Sequence, residues 1–389
     1  MMLISQRCAL SLLPLVLIST AGIAQDTLAV FGYTWQIRGD VPLVEDYLGQ
    51  VALRLRSTQA RLRDLEFENG TIEFDIATSG DRSFIGVGFR VSDSGRDFED
   101  FYLRPHNSGR FDALQYTPMN NGISAWQLYP EHNATFAIPR DRWLHVKLEI
   151  AGQRLAVYLD HAATPTMVVH RLKRGHTRGS LTIRASFPEG EQRSIYPTAF
   201  ANFTVALTGD GGDQAGDDPT PSASGFVDRW AISPSKQTPA TPIESIPPEW
   251  LDAAGWSIIE ADSRGRVNLA EQRAIPAQAT TGTVLARVTI HSDGRQVKKL
   301  QFGFSDRVSV FLNGRLVFTG NNTYRSRSQR YLGVMTVDND ALYLDLEPGE
   351  NELIMAVTEA FGGWGLIARM EDRGGISMEA RVASPGPLH

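Results

Sequence analysis

The chain has one cysteine in 389 residues, Cys8, and that one lies in an apolar N-terminal run. With no second thiol there is no intrachain disulfide, no thiolate nucleophile in the body of the chain and no cysteine-based metal centre. Positive charge is in deficit: 38 Lys and Arg stand against 44 Asp and Glu, a formal net charge of -6. The basic residues are scattered rather than massed, so no nucleic-acid partner is expected. Beyond the N-terminal run no segment approaches the roughly 20 apolar residues of a bilayer-crossing helix, so no membrane span is expected. Amphipathic helical periodicity is nearly absent as well, which excludes helical bundles and alternating βα architectures.

What is present begins with an address. Arg7 precedes "CALSLLPLVLIST", and "AGIA" places small Gly22 and Ala24 where a signal peptidase reads. Residues 1–24 are therefore expected to be a cleaved signal peptide and the protein secreted or periplasmic; Cys8 has no lipobox before it.

The rest reads as strands. "GTIEFDIA" alternates Ile72, Phe74 and Ile76 with Glu73 and Asp75, and "FIGVGFRV" alternates Ile85, Val87, Phe89 and Val91 with Gly86, Gly88 and Arg90. "WLHVKLEIAGQRLAVYLD" is two strands turning at Ala151-Gly152, and "VSVFLNGRLVF" is a hairpin whose Asn313-Gly314 supplies the positive φ of a tight turn. Between these regions "GDGGDQAGDDPTPSAS" reads as a flexible acidic Gly/Pro-rich linker. Its aspartates Asp210, Asp213, Asp217 and Asp218 raise calcium, but their spacing is not that of an EF-hand loop, so no cofactor and no metal are expected. The expected class is all-β: two jelly-roll β-sandwiches, residues 25–208 and 225–383, joined by the linker 209–224 and ending in a tail, 384–389. The Pro-rich "SPSKQTPATPIESIPPEW" is expected to run as an extended strap over the second sandwich.

Through "GTIEFDI", "FIGVGFRV", "FYLRPHNSG", "ALQY" and "RWLHVKLEIAGQRLAVYLD", the first part resembles the concanavalin A-like lectin/glucanase superfamily, nearest its laminin-G-like and 3-keto-disaccharide hydrolase-type domains. Through "VSVFLNGRLVFTG", "PGENELIMAV" and "FGGWGLIARM", the second part resembles a galactose-binding-like jelly roll. The resemblance implies sugar-related functions, but both folds host lectins, enzymes and structural modules alike. Family-16 glycoside hydrolases of the first superfamily carry Glu-x-Asp-x-Glu on one strand; here Glu73 and Asp75 are followed by Ala77, and the third carboxylate is missing. The 3-keto-disaccharide hydrolase-type pattern of "GxxFR" followed by Glu-Val-Gln is met at Gly88-Phe89-Arg90 but reads Ala113-Leu114-Gln115 at the second place, so that carboxylate is missing too.

A binding constellation remains. Tyr102, Arg104 and His106 share a face, Gln115 faces them from the next strand, Arg90 follows two glycines, and Trp126 offers a stacking platform. Sugars need this mixture, rings for C–H faces and fixed polar groups for hydroxyls. The structural alternative makes Trp126 core, pairs Arg104 with Asp100 and uses His106 to cap a loop. A catalytic alternative makes His106 a general base with Tyr102 or Tyr116 as acid, the logic of a polysaccharide lyase. In the second domain Asn322, Tyr324, Arg325, Arg327 and Trp364 are candidates at loop ends, against a reading in which Tyr324 and Trp364 plug the sandwich. Asn69, Asn133, Asn202 and Asn321 open Asn-x-Ser/Thr sequons. The function expected is recognition of a poly- or oligosaccharide on the concave face of the first sandwich; the alternatives are a glycoside hydrolase or polysaccharide lyase using that sandwich, and a protein-adhesion module.

Overall fold

Alternation of apolar and polar residues becomes strands with one buried face. The computed structural model describes residues 27–187, 196–209 and 224–382; the expected signal peptide, the four linker aspartates and the expected tail lie outside these residues. Strand Gly70–Thr78 buries Ile72, Phe74 and Ile76 and turns Glu73 and Asp75 outward. It is central in an antiparallel sheet ordered Met167–Val169, Arg154–Leu159, Leu144–Ala151, Gly70–Thr78, Thr198–Leu207, Gln50–Leu55, Leu43–Tyr47. The facing sheet runs Thr27–Val30, Tyr33–Gly39, Thr58–Leu62, Ser180–Ser186, Phe84–Val91, Phe98–Leu103, Leu114–Asn120, Ile123–Ser124, with Asn133–Ala134 also pairing with Leu114–Asn120. Phe74, Val146 and Leu148 from one sheet meet Val87, Phe101 and Ile183 from the other in a single buried core.

A second sandwich follows. Its larger sheet is ordered Ser257–Glu260, Arg229–Ile232, Gly282–Ser292, Gly349–Glu359, Arg307–Leu312, Arg315–Asn321, and its smaller one Arg266–Asn268, Gly365–Arg369, Gln296–Ser305, Asp340–Leu346. Trp230, Phe302, Phe304, Val310, Met355 and Leu366 are among its buried core. Asn313 and Gly314, at φ 51° and 73°, form the tight turn between paired Leu312 and Arg315. The unbroken apolar run "LIMAV" has a reason: Leu353, Met355 and Val357 face the core, while Ile354 and Ala356 face Ile243, Ile246, Trp250 and Leu251 of the Pro-rich strap. Helix is confined to the four-residue Pro248–Leu251 and three single 3₁₀ turns among the described residues. The protein is thus all-β, built as two antiparallel sandwiches.

Candidate functional site

Register puts a polar but buried layer on the outer side of the first domain's larger sheet, with Tyr102 3% exposed and Gln115, Asp100, Thr117 and Thr182 fully covered. Arg184, Gly86, Tyr102 and Gln115 are successive cross-strand partners, and Thr182, Gly88, Asp100 and Thr117 form the next row. Since successive side chains alternate, both rows project away from the core residues Ile183, Val87, Phe101 and Tyr116. Gly86 is required by close approach: a Cβ there would sit 2.0 Å from the Phe101 carbonyl oxygen.

Tyr102 and Arg104 anchor this layer. The Tyr102 hydroxyl donates to Gln115 Oε1 at 2.6 Å, and Arg104 donates to Asp112 Oδ2 at 2.9 Å, to the Tyr102 oxygen at 3.1 Å and to Gln115 Oε1. Burial pushes the Tyr102 phenol above its ordinary pKa, which keeps its donating proton in place. Arg104 Nε is buried with no partner, and its guanidinium lies 5.6 Å from the Trp126 ring. Asp100 is taken by Arg184, so the expected Arg104–Asp100 pair is replaced by Arg104–Asp112 and Arg184–Asp100. The strand ends at Leu103 and His106 sits in the following 3₁₀ turn, where its ring edges Phe84 at 5.4 Å and its Nδ1 accepts from the Ser83 amide at 3.4 Å. Tyr116 is on the other side of the sheet, donating to buried Glu99 at 2.6 Å, and so cannot act as an acid on the polar face.

Arg90 does not join this group. A register shift beside it and a left-handed φ of 55° break the alternation that would have placed it next to Gly88. Its side chain turns into the body of the domain, donating to Glu68 O, Gly175 O, Gly152 O and Asn69 Oδ1. It is a clamp on three loops. Asn69, fixed by Arg90 and by the Gly152 amide, is buried and closed to glycosylation in the folded chain.

The polar face ends against the second sandwich. Gln127, fully buried, reaches across with every polar group used: its amide donates to Gly362 O at 3.0 Å, its carbonyl accepts from Met335 N at 2.9 Å, its Nε2 donates to Leu332 O at 2.8 Å, and its Oε1 accepts from Ser305 Oγ at 2.9 Å. Gly362 must be glycine, at φ 104° and with the position of a Cβ only 2.3 Å from Gln127 Oε1. Leu128 and Tyr129 pack with Met335 and Ile367, and Arg266 binds both Leu128 O and Glu131.

This seam gathers rings from both domains. Trp126 lies 5.9 Å from Tyr324 and 6.2 Å from Phe361, and Tyr324 lies 6.0 Å from Phe361. Trp126 and Tyr324 are half-buried, whereas Phe361 is 57% exposed. Trp126 is therefore neither core nor a platform of the first domain alone. Phe361 was not legible as a site residue; the "FGGWG" segment pointed to Trp364, which is wholly buried and donates to Val357 O. Asn322 is likewise structural, donating to Phe304 O and Gly333 O and accepting from Tyr331. Arg325 caps the Tyr324 ring at 4.9 Å, and exposed Arg327 lies 3.8 Å from Asp340.

The loop bearing Phe361 hangs from two buried acids. Asp306 Oδ2 accepts from the Ala360 and Phe361 amides at 2.8 and 2.6 Å, and Glu359 Oε1 accepts from the Gly363 amide at 3.4 Å. Their other oxygens, Asp306 Oδ1 and Glu359 Oε2, are buried without partners. Burial raises both carboxyls, Asp306 to about 6 and Glu359 well above the usual range.

Elsewhere, Glu73, His145, Lys147, Glu149, Tyr158 and His161 line a hollow of about 430 Å³ on the outer face of the first domain's other sheet. Its groups are mutually engaged: His145 Nδ1 lies 2.9 Å from Asp75 Oδ1 and its Nε2 3.4 Å from Glu73, and Lys147 bonds Glu149 while covering the Tyr158 ring. Glu73 and Asp75 thus share a face, but remote from the seam.

No protein-family model matches the chain, and no curated protein matches it. Among solved structures it is similar to carbohydrate-binding module CBM66 from Bacillus subtilis, at 14% identity over 43% of this chain and 91% of that one, with a TM-score of 0.30. A β-glucanase from Bacillus licheniformis matches at 12% identity over 45% and 92%, TM-score 0.31. A Bacillus subtilis protein of unknown function with a galectin-like fold matches at 12% over 44% and 88%, TM-score 0.32. Likeness of this degree leaves function to the geometry of the site.

Proposed function

We propose that the protein is an exported carbohydrate-recognising protein whose two sandwiches build one glycan site at their seam, on the polar face of the first. The observation that carries this is the meeting of Trp126, Tyr324 and Phe361 beside the Tyr102–Arg104–Gln115 network. Ring faces suit the C–H faces of a pyranose, while the buried Tyr102–Arg104–Gln115 network holds Trp126 in place, Gln115 Nε2 donating to Trp126 O at 3.5 Å. The side chains are held in advance, Trp126 by its neighbour Gln127 and Tyr102 by Gln115, so little ordering entropy opposes binding. Asp100 and Asp112 each hold an arginine, which argues for recognition rather than hydrolysis on this face.

A glycan array on the full chain, followed by titration calorimetry on the hits, tests this. Phe361→Ala and Trp126→Ala are each expected to weaken binding by about tenfold or more, from a stacking contribution of about 1 kcal/mol plus lost area. Because Phe361 is largely exposed, its variant should keep the wild-type melting temperature. Undiminished binding by both variants would overturn the seam as the site, and new cleavage products in mass spectra would overturn recognition without chemistry.

A further inference from the structure

The seam has a charge character that the glycan reading alone does not require. Residues Thr323–Tyr331 contain three arginines and no acid in a chain of net charge -6. The loop is ordered by its own backbone: Arg325 N donates to Tyr331 O at 2.8 Å, Tyr331 N to Ser328 O at 3.0 Å and Ser326 N to Thr323 O at 2.9 Å. Arg325 and Arg330 are exposed and have no ion-pair partner among the described residues, whereas Arg327 faces Asp340.

Arg325 also occupies a conformation that arginine disfavours. Its φ is 62°, in the left-handed region where glycine or asparagine is comfortable. Its guanidinium lies over the Tyr324 ring, 4.9 Å from the ring centre. Strain at an exposed cation with no stabilising ion pair directs attention to what the cation contacts from outside. On the other side of the rings Arg104 lies over Trp126, with Asp112 shared between it and Asn107. The rings are therefore flanked by a guanidinium at each end, Arg104–Trp126–Tyr324–Arg325. The carboxyls that bind the amides of the Phe361 loop, Asp306 and Glu359, are buried away from solvent.

We propose that the glycan taken at this seam is acidic, a polysaccharide bearing carboxylate or sulfate groups that Arg325 receives while its rings stack on Trp126, Tyr324 and Phe361. This rests on the glycan reading above. Guanidinium forks match both anions in geometry, and the contact is charge-assisted.

The test is calorimetric titration of the full chain with oligogalacturonate and its carboxyl-reduced form, and with dextran sulfate and dextran, at about 0.05 and 0.3 M NaCl. At least one anionic probe should bind about tenfold or more tighter than its neutral counterpart and weaken in salt; the arm that responds distinguishes uronate from sulfate. Arg325→Gly should lower that affinity by about tenfold while leaving the melting temperature unchanged or higher, because glycine relieves the left-handed backbone. Equal binding of anionic and neutral forms, or full anionic affinity in Arg325→Gly, overturns the acidic preference while the glycan site stands. Absence of binding to any glycan, neutral or charged, removes both.

Discussion

Glu359→Gln tests the electrostatics beneath the site. Asp306 and Glu359 are 0% and 2% exposed, and each has one oxygen bound to loop amides and one with no partner. Two ionised carboxylates so buried cost several kcal/mol each without a cation. Among the described residues Arg307 acts on Asp306 as a cation, and weakly beside the burial. The pair therefore keeps a proton at neutral pH. Asp306 rises from 3.8 to about 6, and Glu359 is raised further by burial and by the charge of Asp306. A raised folded-state pKa stabilises the protein fully below the unfolded value, near pH 4, and that stability is lost as pH rises through about 6. For Asp306 those two units correspond to about 3 kcal/mol, or roughly 6 to 12 °C in melting temperature for a domain of this size, a slope that Glu359→Gln leaves in place while removing the further one that Glu359 adds. Glutamine keeps the shape and removes the titratable group. Melting temperature followed from pH 4 to 8 should fall less steeply in the variant, and the variant should melt above wild type at pH 8. Glu271, raised by burial to about 7, and His132, lowered by burial to about 3, also titrate, so the difference between the two curves is what counts. Parallel curves, or a variant less stable at pH 8, would refute the raised Glu359 carboxyl.

Two further substitutions separate scaffold from site. Gln127→Ala strands the Leu332 carbonyl and the Ser305 hydroxyl at the seam; about 2 to 4 kcal/mol should be lost, and scanning calorimetry should resolve two transitions where wild type gives one. A single transition at the wild-type temperature would mean that the Gln127 bonds contribute nothing to the coupling of the sandwiches. Arg90→Met leaves the Glu68, Gly152 and Gly175 carbonyls without their arginine donor, Asn69 Oδ1 keeping the Gly152 amide, and should cost about 3 kcal/mol or more in chemical denaturation, with glycan affinity intact. Lost affinity in a stable Arg90→Met protein would return Arg90 to the binding surface.

The fold was legible because its signals are local. Alternation in "GTIEFDIA", the Asn313-Gly314 turn and the pairing across Ala151-Gly152 each need only neighbours in sequence, and each is found where the pattern put it. Tyr102 and Gln115 could be placed on one face by counting in twos, because their strands are regular. Counting failed at Arg90, where one left-handed residue breaks the period; the sequence offers no sign of it beyond the following loop. Polar partners were harder still. Arg104 had Asp100 and Asp112 within a few residues, and the choice was made by Arg184, which arrives from a strand 80 residues away in sequence and claims Asp100. The seam was beyond reach for the same reason, since Trp126, Tyr324 and Phe361 belong to two domains that no local pattern relates. Trp126 and Tyr324, each legible as an aromatic candidate within its own domain, are neighbours in space. Rings left over after each core is filled have to cover something, and here they cover the line where one sandwich meets the other.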